Sequence, residues 1–506
     1  MSNGLILLLL VIFLLLVRAP LFLLIGSLTI SGYALYEGIA LDQILIAESV
    51  RQITDKPPLL AIPFFVLSGG IMSRGAIAQR LVNVAKAVFS GIPGGLGIAA
   101  VIACMFFAAI SGSSPVTVIT IGGVMYPALL KAKYPESFSA GLLTSAGTLG
   151  IIIPPSIPMI VYAIFASGAQ VIQVEDLFLA GIGPGFLIGG FLAVYCLFTG
   201  LMRGEKFRRS ELNFKDTLID GFWSLMLPVI ILGGIYSGIF TATEAAAVSV
   251  VYSLIVEIYI HRSLTIKDLV PVIGESTVLM GSLLIILTMA VGLNDLLAEL
   301  ELPEKAVAWI KTHELTPTSF MLYLNAFLLV VGCFMDIMSA IMILVPLLAP
   351  MAMSYGIDPI HLGIVFIVNL ELGYLTPPMG LNLFVASSLF KKSMGEMIKS
   401  VVPFLLILFV ALMTITYIPT IALGPVNYLK GQPVYVPFPS AKVSNDLKQS
   451  GDGKSIEGKQ GGDEKANDGK ANDGKANDGK DQTKPKAKSL QDLMKEQGID
   501  TEDEEE

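Results

Sequence analysis

At 506 residues, 54% hydrophobic and 15% charged, with a mean hydropathy of +0.73, the chain is too apolar for a water-soluble core and surface. Residues 441–506 hold 12 Lys against 17 Asp plus Glu, so most of the net charge of −8 lies there, the rest is nearly neutral, and a nucleic-acid partner is excluded. Cys104, Cys196 and Cys333 all fall inside apolar runs, which argues against a disulfide framework and against a metal cluster.

Lipid leaves an open chain only helix with which to satisfy its backbone, so the fold class is an all-α polytopic membrane protein in contact with lipid. The first run, GLILLLLVIFLLLV, has no basic segment before it and no small-residue cleavage site after it, and reads as a retained helix. Spans are predicted at 3–17, 20–36, 58–72, 137–166, 179–200, 221–239, 243–260, 270–290, 360–390 and 400–423. Segments 91–130 and 316–350 read as re-entrant hairpins, although two full spans each would give the same sidedness. The chain divides into N-terminal scaffold helices (1–57), a first half (58–200), a cytoplasmic loop with further scaffold helices (201–269), a second half (270–425) and a tail (426–506). The tail carries three copies of KANDG at 465–479 and is expected to be disordered, with one short amphipathic helix over 488–498.

The two halves repeat at an offset of 223 to 224 residues. GIIIPPSIP (150–158) aligns with GYLTPPMGL (373–381), Pro127 with Pro350, Pro93 with Pro317, Gly69 with Gly292, and Ser113 with Asp336. Arg18 and the basic loops at 203–209, 261–267 and 391–392 belong on the cytoplasmic side, which puts both termini outside. Residues 72–90 are basic and the matching 292–304 acidic, so the repeat is read as inverted.

Four interruptions fall at membrane depth: SGSSP (111–115) and GCFMD (332–336) at the hairpin tips, GTLGIIIPPSIP (147–158) and GYLTPPMG (373–380) inside spans. Irregular backbone is tolerated there only if buried in protein or lining a polar cavity, and paired broken helices are the architecture of secondary transporters. Freed carbonyls and hydroxyls suit a cation, and half-helix amino termini suit an anion. Residues 96–130 and 312–390 contain no Lys or Arg, so an anionic substrate would be held by helix ends, hydroxyls and co-bound cations. Asp336 is either a ligand or a structural carboxylate bonded to the hairpin backbone. Ser111, Ser113 and Ser114 are either ligands or small residues for close packing. Asn369 and Glu371 are either ligands or packing residues, His361 is placed at an interface, and Glu244 at a helix start.

SGSS with Thr117, GTLGIIIPPSIP, GIFTATEAAA, GCFMD and GIDPIHLGIVFIVNLELGYLTPPMGLNLF together resemble the large membrane subunit of tripartite ATP-independent periplasmic (TRAP, DctM-like) transporters over residues 1–425. The resemblance implies a sodium-driven, elevator-type importer of organic acids such as C4-dicarboxylates or sialic acids, in the bacterial inner membrane. Its implied partners are a small four-helix membrane subunit, expected as a separate chain, and a soluble periplasmic substrate-binding protein. No cofactor is implied beyond sodium as the coupling ion. Carried onto this chain, the sodium sites fall at Ser111, Gly112, Gly147 and Thr148, and at Gly332, Asp336, Thr376 and Pro377. Substrate falls at Ser113, Ser114, Ser156 and Asp336. Pro115 and Val116 depart from the small residues usual before the Thr, Ala242 replaces a Pro, and the charged tail is atypical. A receptor-independent sodium–carboxylate symporter would share the same fold. A channel fits paired broken helices less well, and an enzyme is disfavoured because no nucleophile and base lie together.

Overall fold

The computed structural model describes residues 3–17, 19–36, 56–166, 171–207, 213–312, 315–378 and 380–439. Arg18, Arg208, Arg209, Met379 and residues 440–506, with the expected helix at 488–498, lie outside the described residues. Among the described residues every regular element is helical, and seven helices are long and apolar enough to cross a membrane.

Two apolar helices, α1 (Asn3–Leu16) and α2 (Leu21–Tyr36), come first, and α2 buries Ile25 and Tyr33 against a later helix through Leu293 and Leu296. After a short 3-10 turn, α3 (Ala61–Arg74) leads into α4 (Ile77–Phe89), whose apolar residues Ile77, Leu81, Val82 and Ala85 line one face. The expected first hairpin is α5 (Gly95–Ser111) and α6 (Ser114–Lys131). The span expected at 137–166 is two helices, α7 (Glu136–Ala146) and α8 (Ile157–Ala166), with a 3-10 turn and Pro154–Pro155 between them, and α9 (Val174–Met202) follows. Two further spans are α10 (Phe214–Tyr236) and α11 (Ala242–Ile255).

The same order then recurs. A long helix, α12 (Ile266–Glu299), precedes a short one, α13 (Leu302–Lys311), then a hairpin, α14 (Pro317–Phe334) and α15 (Ile337–Met353). A second interrupted span follows as α16 (Pro359–Tyr374) and α17 (Leu381–Phe390), and then α18 (Met394–Tyr417). Local chemistry sets these starts. Thr241 and Glu244 form a reciprocal capping box at α11, as do Ser393 and Glu396 at α18, and Asp358 caps α16 ahead of Pro359.

Near the C-terminal end two expected boundaries differ. The span expected at 400–423 ends at Tyr417, because Pro419 has no N–H to continue the ladder, and α19 (Thr420–Leu429) begins beyond it. The tail expected from 426 starts later. Residues 430–439 fold back, with the Thr420 hydroxyl donating to the Val436 carbonyl at 3.0 Å, Asn427 donating to the Pro433 carbonyl at 3.0 Å, and Phe438 packed on Tyr417. His361 is buried rather than interfacial, with its Nε2 3.0 Å from the Ile415 carbonyl oxygen.

One buried carboxylate joins the middle spans to the first half. Glu257, in the turn of π-helix that ends α11, accepts hydrogen bonds from the backbone N–H groups of Ala76 and Ile77 at 2.9 Å each and from the Ser263 hydroxyl. It therefore satisfies the free first turn of α4 and carries its own charge against that helix's positive end. Glu257→Ala, which orphans those donors, is expected to lower stability by about 2–4 kcal/mol. Thermal unfolding in detergent checks this, and an unchanged melting temperature would contradict the anchoring role.

Candidate functional site

The first hairpin turns on Gly112, whose φ of +57° is the left-handed region glycine enters without cost. A Cβ there would lie 2.9 Å from the Pro155 carbonyl oxygen, so the tip sits directly against the first interrupted span. Inside the tip the Ser111 and Thr117 hydroxyls are 3.1 Å apart, and Thr117 donates to the Ser113 carbonyl at 2.8 Å. Ser113 occupies the N-cap of α6 without capping it by its side chain, and Pro115 follows in the first turn. The Ser114 and Val116 N–H groups in that turn have no intrahelical acceptor, which leaves the positive end of α6 open.

The second tip turns without a left-handed residue and has the opposite polarity. Met335 and Asp336 are extended, and the Asp336 carboxylate accepts from both the backbone N–H of Ser339, at 3.1 Å, and its hydroxyl. Asp336 thus caps α15 and sets a negative charge where the first tip has bare N–H groups. The Ile337 N–H donates to the Tyr374 hydroxyl at 3.1 Å, tying this tip to α16.

A cavity of about 590 Å³ lies between the tips, within the usual size for a small-molecule site. Residues 111–116 line it from the first tip and residues 336–338 from the second, with Tyr374 from α16. Of the sequence-predicted residues, Ser111, Gly112, Ser113, Ser114 and Asp336 meet there. Ser156, Gly147, Thr148, Gly332, Thr376 and Pro377 do not line it. Ser156 is fully buried, its hydroxyl donating to the Ile151 carbonyl at 2.6 Å and accepting from the Met159 N–H, so it secures the break rather than facing the cavity. Thr148 and Thr376 donate to their own chain at Ser145 and Leu372. Gly147 packs on Val118, and Gly332 packs backbone to backbone on Gly373, so each tip adjoins the break of its own half.

Arg74 is one of the basic residues within 72–90. It stands at the end of α3 and lines the cavity with Ser73, paired at 2.5 Å to Glu275 of α12, which brings Ser276 with it. The cavity thus has a basic side chain that residues 96–130 and 312–390 lack, because it comes from a neighbouring helix. Tyr374 was missed, although it is the aromatic hydroxyl inside GYLTPP. Asn369 donates to Asn325 at 2.7 Å and to the Val365 carbonyl, while Asn325 donates to Thr416.

Residues 8–421 match the family model described as the DctM component of tripartite ATP-independent periplasmic transporters. The C4-dicarboxylate TRAP transporter large permease protein DctM of Pseudomonas aeruginosa is 44% identical over 73% of this chain and 86% of its own length. The ectoine TRAP transporter large permease protein TeaC of Halomonas elongata is 32% identical over 81% of this chain and 96% of its own. Among solved structures, the YdaH transporter of Alcanivorax borkumensis, described as having an unusual topology, matches with a TM-score of 0.57 at 12% identity, over 77% of this chain and 89% of that one. That likeness concerns the fold alone.

Gly112→Ala is expected to cost at least about 1–2 kcal/mol from the left-handed backbone, with the Pro155 contact added. Gly123→Ala, in the middle of α6 with no neighbour within 4 Å, is expected to stabilise by about 0.5–1 kcal/mol. Melting temperatures of the two variants should move in opposite directions, and parallel shifts would contradict the tip geometry.

Proposed function

This chain belongs to the DctM component family of tripartite ATP-independent periplasmic transporters, and on that premise we propose that it is the large permease of a sodium-coupled, binding-protein-dependent importer of organic acids. The observation that carries this reading is the opposite polarity of the two tips across one cavity. An anion gains from the open N–H groups of Ser114 and Val116 and the hydroxyl of Ser113. A carboxylate is repelled by the Asp336 charge, so Asp336 serves the coupling cation. Sodium then sits near Ser111, Gly112, Gly147 and Thr148 in one half and near Gly332, Asp336, Thr376 and Pro377 in the other, where each tip adjoins carbonyls freed by the break. Arg74 trades its Glu275 partner for a substrate carboxylate on loading.

The two halves act as an inverted repeat. Their hairpins and interrupted spans move together as an elevator against the long helices α10, α11 and α12, in the bacterial inner membrane. A separate small four-helix subunit steadies that scaffold, and a soluble periplasmic protein delivers substrate. The relatives' names include both a C4-dicarboxylate and an ectoine transporter, so the class proposed is a small organic acid rather than one compound.

Uptake of radiolabelled organic acids into proteoliposomes is expected to require a sodium gradient, the small subunit and the binding protein. Uptake that needs sodium alone would move the chain to the receptor-independent symporters. Asp336→Asn retains a capping side chain, so it is expected to melt near wild type while sodium-driven uptake falls at least about tenfold. A stable variant with normal uptake would remove Asp336 from the site.

A further inference from the structure

Glu371 of α16 is 1% exposed, and neither of its oxygens is in a well-formed hydrogen bond. It lies beside the Ser114 hydroxyl at the start of α6. Asn382 of α17, fully buried, donates from Nδ2 to that same hydroxyl at 2.6 Å, and its Oδ1 is left without a donor. Glu371 and Asn382, from two elements of the second half, therefore meet at one hydroxyl of the first, with three acceptor oxygens between them left without a donor. An isolated ionised carboxylate at this depth costs tens of kcal/mol by simple solvation, so the group either takes up a proton or is paired with a cation. Residues 96–130 and 312–390 supply no Lys or Arg to pair it.

We propose that Glu371, Asn382 and Ser114 hold a desolvated monovalent cation behind the serine tip, beside the cavity and distinct from the sodium positions assigned above. The donor set is carboxylate, amide carbonyl and hydroxyl, which suits a hard cation and offers no nitrogen or sulfur ligand. One carboxylate balances one positive charge, whereas a divalent ion would leave a net charge in a low dielectric. Neither Glu371 nor Asn382 lines the cavity, so the ion is reached only when the tip moves. Occupancy fixes Ser114, the first residue of α6, to α16 and α17, and so holds the tip in the geometry that presents its N–H groups. That last role rests on the transport reading; the binding of the ion does not.

The test is equilibrium binding of radioactive sodium to the purified full chain in detergent, with choline keeping ionic strength constant. Wild type is expected to bind one ion more per chain than Glu371→Gln. In sodium-free buffer the Gln variant should melt at or above wild type, because a buried charge has been removed, and sodium should raise its melting temperature less. Equal ion counts, or equal sodium dependence of melting, overturn the proposal. Should Glu371→Gln fail to fold, Asn382→Leu keeps the carboxylate and removes the amide oxygen, and is expected to weaken sodium binding at least about tenfold. Unchanged affinity there overturns the proposal equally. Because no transport is measured, a failure here is distinct from a failure of the uptake experiment.

Discussion

Backbone groups released at membrane depth must find partners inside the protein, and four such releases organise this chain. Each hairpin tip and each interrupted span exposes N–H and C=O groups that lipid cannot satisfy. The structure answers by packing tip against break. Gly112 meets the Pro155 carbonyl, Gly150 packs under the Ser113 carbonyl, and Gly332 meets Gly373. Side chains complete the accounting, with Ser156, Thr148 and Thr376 each donating to a carbonyl of its own segment. What remains open is the start of α6 and the cavity it borders.

Much of this was legible in the sequence. Gly and Pro clusters inside long apolar runs marked three of the four interruptions and Asp336 the fourth, and an order of helix, hairpin, broken span and long helix occurs twice in the folded chain. A residue that acts through its own local backbone was readable in Glu244 at a helix start, whereas the sequence leaves Asp336, which caps α15, open between ligand and hairpin carboxylate. Residues whose role depends on a distant element were not readable. Arg74 enters the cavity because α3 and α12 pack together, His361 is buried by α18, and residues 430–439 fold back onto Tyr417 and Thr420. Ser156 looked like a ligand because it follows two prolines, yet its hydroxyl is consumed by the turn those prolines make. Such outcomes depend on three-dimensional neighbours, which period and composition do not encode.

Electrostatics then separates the two halves that geometry makes alike. At matching positions the first tip has serine and the second aspartate, so one helix end stays positive and the other carries a negative cap. On the proposed reading an anion and a cation can therefore occupy one cavity at opposite tips. Glu257 and Glu371 show the two fates of a buried carboxylate in this chain. The first is satisfied by a helix start and a hydroxyl; the second lacks a partner where the two halves meet.

The central claim is that the start of α6 receives the anion and the Asp336 tip the cation. Single-particle imaging of the assembled transporter with sodium and a transported carboxylate would test it most directly. The account predicts carboxylate density against the N–H groups of Ser114 and Val116, with an ion beside Asp336. Substrate density resting on Asp336, with nothing at the start of α6, would contradict it.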